Sequence, residues 1–167
     1  MTRFTLSIAL CTGLTAAPAG QLPMPKYGVT VTADKHVDFA KFKTYSWTPG
    51  QPSADKQIDA RVVAAVDREL GLLGMTKATS GPGDVLATYY SLSRTDVNVK
   101  AKPDSEGRLP QYSVGTLVVA LLDPESRQQL LRLRVDEPLD IEPAKLDATI
   151  DGAVAALFAK YPTRRHK

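Results

Sequence analysis

Residues 112–137 constrain the fold of this chain more than any other stretch: YSVGTLVVALLD, a short PESR segment, then QQLLRLRVDE. Between 116 and 122 almost every side chain is apolar, the pattern of a strand covered on both faces. Asp123-Pro124 suits the first two positions of a type I turn, because proline pre-sets the φ that the turn needs. On the way back, Leu131, Leu133 and Val135 alternate with Arg132, Arg134 and Asp136, giving one dry face and one wet face. Two extended segments around a tight turn make a β-hairpin. A sheet built on it must be covered on its dry face.

The chain supplies two covers. Ile58, Val62, Val66, Leu70 and Leu73, joined by Ala65, repeat at helical spacing and predict a helix over 55–73. Ser53 or Asp55 can cap its start, and Gly74 can stop it by taking a left-handed conformation. Leu146, Ile150, Val154, Leu157 and Tyr161, with Ala153 and Phe158, form a second stripe. Pro143 fits the first turn of that helix and Pro162 closes it. Further strands are expected over 27–32, 42–47 and 84–92. The polar stretch 93–111 allows two readings: hairpin arms that run past the sheet and return at Gln111, or a mobile surface loop. The expected fold is α+β: a two-layer sandwich with a mainly antiparallel sheet of about five strands, two helices on one face, and the order β-β-α-β-β-β-α.

Met1-Thr2-Arg3 is a short positive segment, and 4–17 is an apolar or small-residue run too short for a membrane span. Ala17-Pro18-Ala19 then offers small residues for cleavage before Gly20. The expectation is a signal peptide over 1–19, a linker over 20–26, one α+β domain over 27–162 and a solvated basic tail over 163–167. Cys11 is the only cysteine. Leu10 stands before it where a lipid-attachment site needs a small residue, so cleavage near Gly20 is favoured over a lipid anchor. The mature chain then has no thiol for disulfides, catalysis or metal binding. A hydrophobic content of 43% over 167 residues suffices for one core. The net charge of +3 is too small, and too scattered, to point to nucleic acid.

DFAKFKTYSW (38–47), GDVLATYYSL (83–92), GTLVVALLDPESRQQLL (115–131) and a final helix ending in AKYP (159–162) together resemble one bacterial envelope family. It is the family designated domain of unknown function 4136. The resemblance implies an exported, often lipid-anchored α+β domain. It carries no established activity, so no catalytic residue follows from it.

The residues themselves point away from most chemistries. His36 and His166 have no partners at ligand spacing, which disfavours a histidine metal site or triad. Gly81-Pro82-Gly83 precedes a strand rather than opening a helix, so it is a turn and not a phosphate loop. No catalytic, cofactor-binding or metal-binding residue is expected. Asp84, Asp123, Asp136 and Glu137 fall at strand ends, where carboxylates mostly form turns. A hydrolase-like pair drawn from them is the alternative to the leading reading. Tyr45, Trp47, Tyr89 and Tyr90 could stack on a ligand, but core packing is their commoner use. The leading expectation is a non-enzymatic envelope module that binds a protein or a small ligand. Its candidate partner contacts are Arg94, Lys100, Lys102 and Arg108 on the polar arm, and Arg132 and Arg134 on the wet face of the return strand.

Overall fold

In a computed structural model, residues 28–138 and 143–164 can be described. The expected leader 1–19, the linker 20–26, Cys11, His166 and the end of the basic tail lie outside the described residues. The elements are β1 (Thr30–Ala33), β2 (Thr44–Trp47), α1 (Lys56–Leu72), β3 (Thr76–Lys77), β4 (Val85–Val97), β5 (Gln111–Leu122), β6 (Gln129–Pro138) and α2 (Leu146–Phe158). One turn of 3-10 helix at Pro143–Lys145 leads into α2.

The α+β class holds, but the sheet differs from expectation. It has six strands in the order β1-β6-β5-β4-β2-β3, and it is mixed rather than mainly antiparallel. β4, β5, β6 and β1 pair antiparallel in sequence. β2 runs parallel to both β4 and β3. The cause is α1. A helix between two strands carries the chain back across the sheet, so the second strand starts from the same end as the first. β3 arises where the chain leaves α1 beside β2: the Thr76 and Ala78 amides donate to the Lys43 and Tyr45 carbonyls, each at 2.8 Å.

The stripes dictate the packing. Tyr45, Val85, Ala87, Tyr89, Val119, Leu121, Leu131, Leu133 and Val135 bury one face of the sheet against Val62, Val66 and Leu70 of α1 and Val154, Leu157 and Phe158 of α2. β5 is buried on its other face too, through Thr116, Val118 and Ala120, as its apolar run implies. Polar clamps fix α1 onto the sheet. The Tyr89 hydroxyl donates to Asp59, and Asp67 accepts from the Tyr45 hydroxyl at 2.7 Å and the Trp47 indole at 2.8 Å. Burial, with the Asp59 carboxylate beside it, pushes the Tyr89 hydroxyl up to about 12. Asp55 caps α1 by accepting from the Gln57 amide at 2.8 Å, and Gly74, at φ 84°, ends it.

Asp123 does start the central turn, though the turn is wider than the type I form expected. Its carboxylate accepts from the Ser126 amide at 2.7 Å while its carbonyl accepts from the Arg127 amide at 3.0 Å. Arg127 sits at φ 60° to close the loop.

The tail also departs from expectation. Arg164 is not simply solvated: its guanidinium donates at 2.8 Å to Glu69, a carboxylate on α1 that is only 4% exposed.

Tyr161 stacks on Phe158 and meets Phe39 edge-on, with ring centres 6.4 and 5.8 Å away. Its hydroxyl is buried with no hydrogen-bond partner among the described residues, and burial pushes it up to about 12. Tyr161→Phe is therefore expected to leave stability unchanged or raise it by up to about 1 kcal/mol. A thermal melt showing a loss of that size would mean that the hydroxyl has a partner after all.

Candidate functional site

Both helices begin at the same end of the sheet and leave part of it uncovered. The opening is a cleft of about 650 Å³ over 91–93 and 115–117. Ile58, Val62, Leu117, Val135, Ile150 and Ala153 give it a mainly apolar lining, while Ser53, Asp55, Ser91, Glu137 and Thr149 supply polar groups. That volume and that mixture are typical of small-molecule sites, which span about 300–1,000 Å³. Glu137 is half-buried and has no hydrogen bond or ion pair among the described residues, so its carboxylate is available to a ligand.

One rim of the cleft is built by the chain that follows β2. Past Trp47 it keeps alongside β4: the Thr48 and Gln51 amides donate to the Ala87 and Tyr89 carbonyls, and the Ser91 amide donates to the Gln51 carbonyl at 2.8 Å. Gly50 makes this approach possible. A Cβ there would lie 2.2 Å from the Tyr89 carbonyl oxygen and 2.5 Å from the Thr88 hydroxyl. Gly50→Ala must push residues 51–53 away from β4, with an expected loss of about 1–3 kcal/mol. Amide shifts at Gln51 and Ser91 should report the displaced rim. An alanine variant with native stability and native shifts would show that the approach is not tight.

The opposite, open face of the sheet carries a charged network. Asp136 accepts from the Thr116 hydroxyl and, at 3.1 Å each, from Arg94 and Arg134. Burial alone would raise the Asp136 pKa, but these hydrogen bonds outweigh it and hold the carboxyl below its ordinary range. Arg94 also donates to Asp96 at 3.0 Å.

The polar arm is a hairpin. β4 and β5 stay paired out to Val97 and Gln111, whereas β6 ends at Pro138 opposite Val114. The arm beyond is a two-stranded ribbon closed by the loop 98–110. Inside that loop Asp104 accepts from the Arg108 amide at 2.9 Å and from its guanidinium at 3.1 Å. The six candidate contact residues therefore fall in two places. Arg94, Arg132 and Arg134 gather on the open sheet face; Lys100, Lys102 and Arg108 lie on the distal loop.

Residues 29–163 match the family described as "Domain of unknown function (DUF4136)". The chain belongs to the DUF4136 family. The DUF4136 chain finds no match among curated proteins. Its fold is shared with a PDZ domain protein from Parabacteroides distasonis, at 18% identity and a TM-score of 0.57. That likeness covers 84% of the DUF4136 chain but only 36% of the other protein. A PelC dodecamer structure from Paraburkholderia phytofirmans is also similar, at 9% identity and a TM-score of 0.48, covering 80% of this chain and 98% of that one.

The strand-end carboxylates of the DUF4136 chain do not come together. Asp84 accepts from the Lys43 and Thr44 amides, each at 2.8 Å, which lowers its pKa. Asp123 holds its turn, and bonds from Ser126 lower its pKa as well. Asp136 is committed to the open face, and of the four only Glu137 lines the cleft. Tyr45, Trp47 and Tyr89 are spoken for by Asp67 and Asp59, which leaves Tyr90, exposed on the open face, as the aromatic free to stack. Sequence reasoning missed Ser53, Ser91 and Thr149 as lining residues. Thr149 carried a signal: it sits on the apolar side of the α2 stripe, between Leu146 and Ala153.

Proposed function

We propose that this DUF4136 chain is an exported cell-envelope protein that works as a non-enzymatic binding module. Its cleft takes a small molecule with an apolar body and a hydrogen-bonding group at one end. The cleft itself carries this reading: about 650 Å³ of mainly apolar surface, left open between two helix starts, with a half-buried Glu137 at hand. Export rests on the Arg3 segment, the apolar run after it and Ala17-Pro18-Ala19. The hydrolase alternative gains no support from the carboxylates. Three of its four candidates are held ionised by hydrogen bonds, the opposite of the raised pKa that a general acid needs.

Native mass spectrometry of the protein taken from envelope fractions tests both parts. The expected spectrum shows a chain beginning near Gly20 and a fraction carrying one additional small molecule. A chain beginning at Met1 contradicts export, and a bare chain under conditions that preserve complexes contradicts the ligand.

A protein partner is proposed to meet the arm through Arg94, Lys100, Lys102 and Arg108. Val99, 77% exposed, and Val97 offer apolar contacts beside these cations. Amide exchange over 100–108 should be faster than over 115–122 in the free protein, because so few of its groups are buried. It should slow when the partner is added. Equal protection in both segments before addition, or no slowing after it, would contradict this assignment.

A further inference from the structure

We propose that β1 and β6 form an oxyanion-binding site, separate from the cleft, that accepts a phosphate group. The two strands pair antiparallel with Thr30 opposite Arg134 and Thr32 opposite Arg132. Among the described residues, these four line a hollow of about 150 Å³ on the open face of the sheet. Among the described residues, β1 is an edge strand of the sheet.

The charge balance there is uneven. Arg134 and Arg94 share Asp136, and Arg94 also holds Asp96. Arg132 has no hydrogen bond or ion pair among the described residues, and its neighbour on β5 is Ala120. Among the described residues, Arg132 is thus the guanidinium of this face with no carboxylate to share. Asp136 cannot turn to neutralise it, because Thr116, Arg94 and Arg134 already hold it.

The donor set selects the ligand chemistry. Alternate residues on a strand point the same way about 7 Å apart, so Arg132 and Arg134 can grip one group from two sides. Guanidinium groups donate in a fixed fork that matches phosphate oxygens. Two threonine hydroxyls add donors from the neighbouring strand. A carboxylate has two oxygens to offer four donor side chains, whereas a phosphate monoester has three. The phosphate can be free in solution or the exposed monoester headgroup of a lipid.

The test is titration of the whole chain with inorganic phosphate against a chloride background, followed by NMR at the Arg132 side chain and the Thr30 and Thr32 amides. Saturable shifts confined to these groups are expected. Arg132→Gln should weaken binding by about tenfold or more, and Thr32→Val by less, while Lys160→Gln, just past the end of α2, leaves it unchanged. All three positions are exposed, and a thermal melt of each variant verifies that it folds. A second arm uses vesicles containing phosphatidic acid, with phosphatidylglycerol as the diester control. Binding of phosphatidic acid vesicles assigns the lipid source, and binding of inorganic phosphate alone assigns the free one; either supports the site. Shifts spread over the basic surface, equal weakening by Arg132→Gln and Lys160→Gln, or a chloride response equal to that of phosphate would overturn it.

Discussion

Leu157→Ala is expected to cost about 3–5 kcal/mol in a urea melt, and Leu117→Ala clearly less, about 1–2 kcal/mol. Both are leucines on predicted core positions, so composition alone makes them equivalent. The structure separates them. Leu157 is fully buried on α2, surrounded by the β6 and α1 stripes, and its loss leaves a void that the packed layers cannot close. Leu117 is half-buried and borders the cleft, so truncation widens a space that solvent already enters. Equal losses at the two sites would mean that the cleft is closed in solution.

Arg164→Ala is the second large effect, at about 3 kcal/mol. The mutation leaves Glu69 as an unpaired carboxylate, 4% exposed, on the inner side of α1. Removing one partner of a buried pair costs more than the pair contributes, because the survivor keeps its desolvation penalty. Glu69→Met in the same chain should return most of the loss, since methionine fits the volume without the charge. Failure of that double variant to recover would move the role of Arg164 from neutralising Glu69 to packing against α2.

The parts of the fold legible in the sequence were those governed by local pattern. Alternation at Leu131, Leu133 and Val135 fixed which face of β6 is dry, and the helical spacing from Ile58 to Leu70 gave α1 to within a residue or two. Asp123-Pro124 marked the central turn. What escaped was long-range pairing. Nothing in TYSW says that it lies beside β4 rather than beside β1. The clue was the helix between them, since a strand, a helix and a second strand in that order favour parallel pairing. β3, with two residues, is too short to show any period.

The candidate site was less legible still. Asp59 and Asp67 look like ordinary exposed helix positions, yet they accept hydrogen bonds from Tyr45, Trp47 and Tyr89, aromatics for which core packing is the commoner use. The cleft depends on where two helices start relative to a sheet edge, and no single segment carries that information. The open-face arginines were visible as a pattern, whereas their unequal sharing of Asp136 needed the register of three strands.

The most direct measurement is saturable binding of an apolar, polarity-sensitive dye to the wild-type chain and to Thr149→Trp. Thr149 lines the cleft from α2 and is itself only half-buried, so a tryptophan there fills the space. The account predicts one-to-one binding to the wild type, loss of binding in Thr149→Trp, and equal thermal stability of the two. Undiminished binding to Thr149→Trp, or no saturable binding to the wild type, would contradict the cleft as the ligand site.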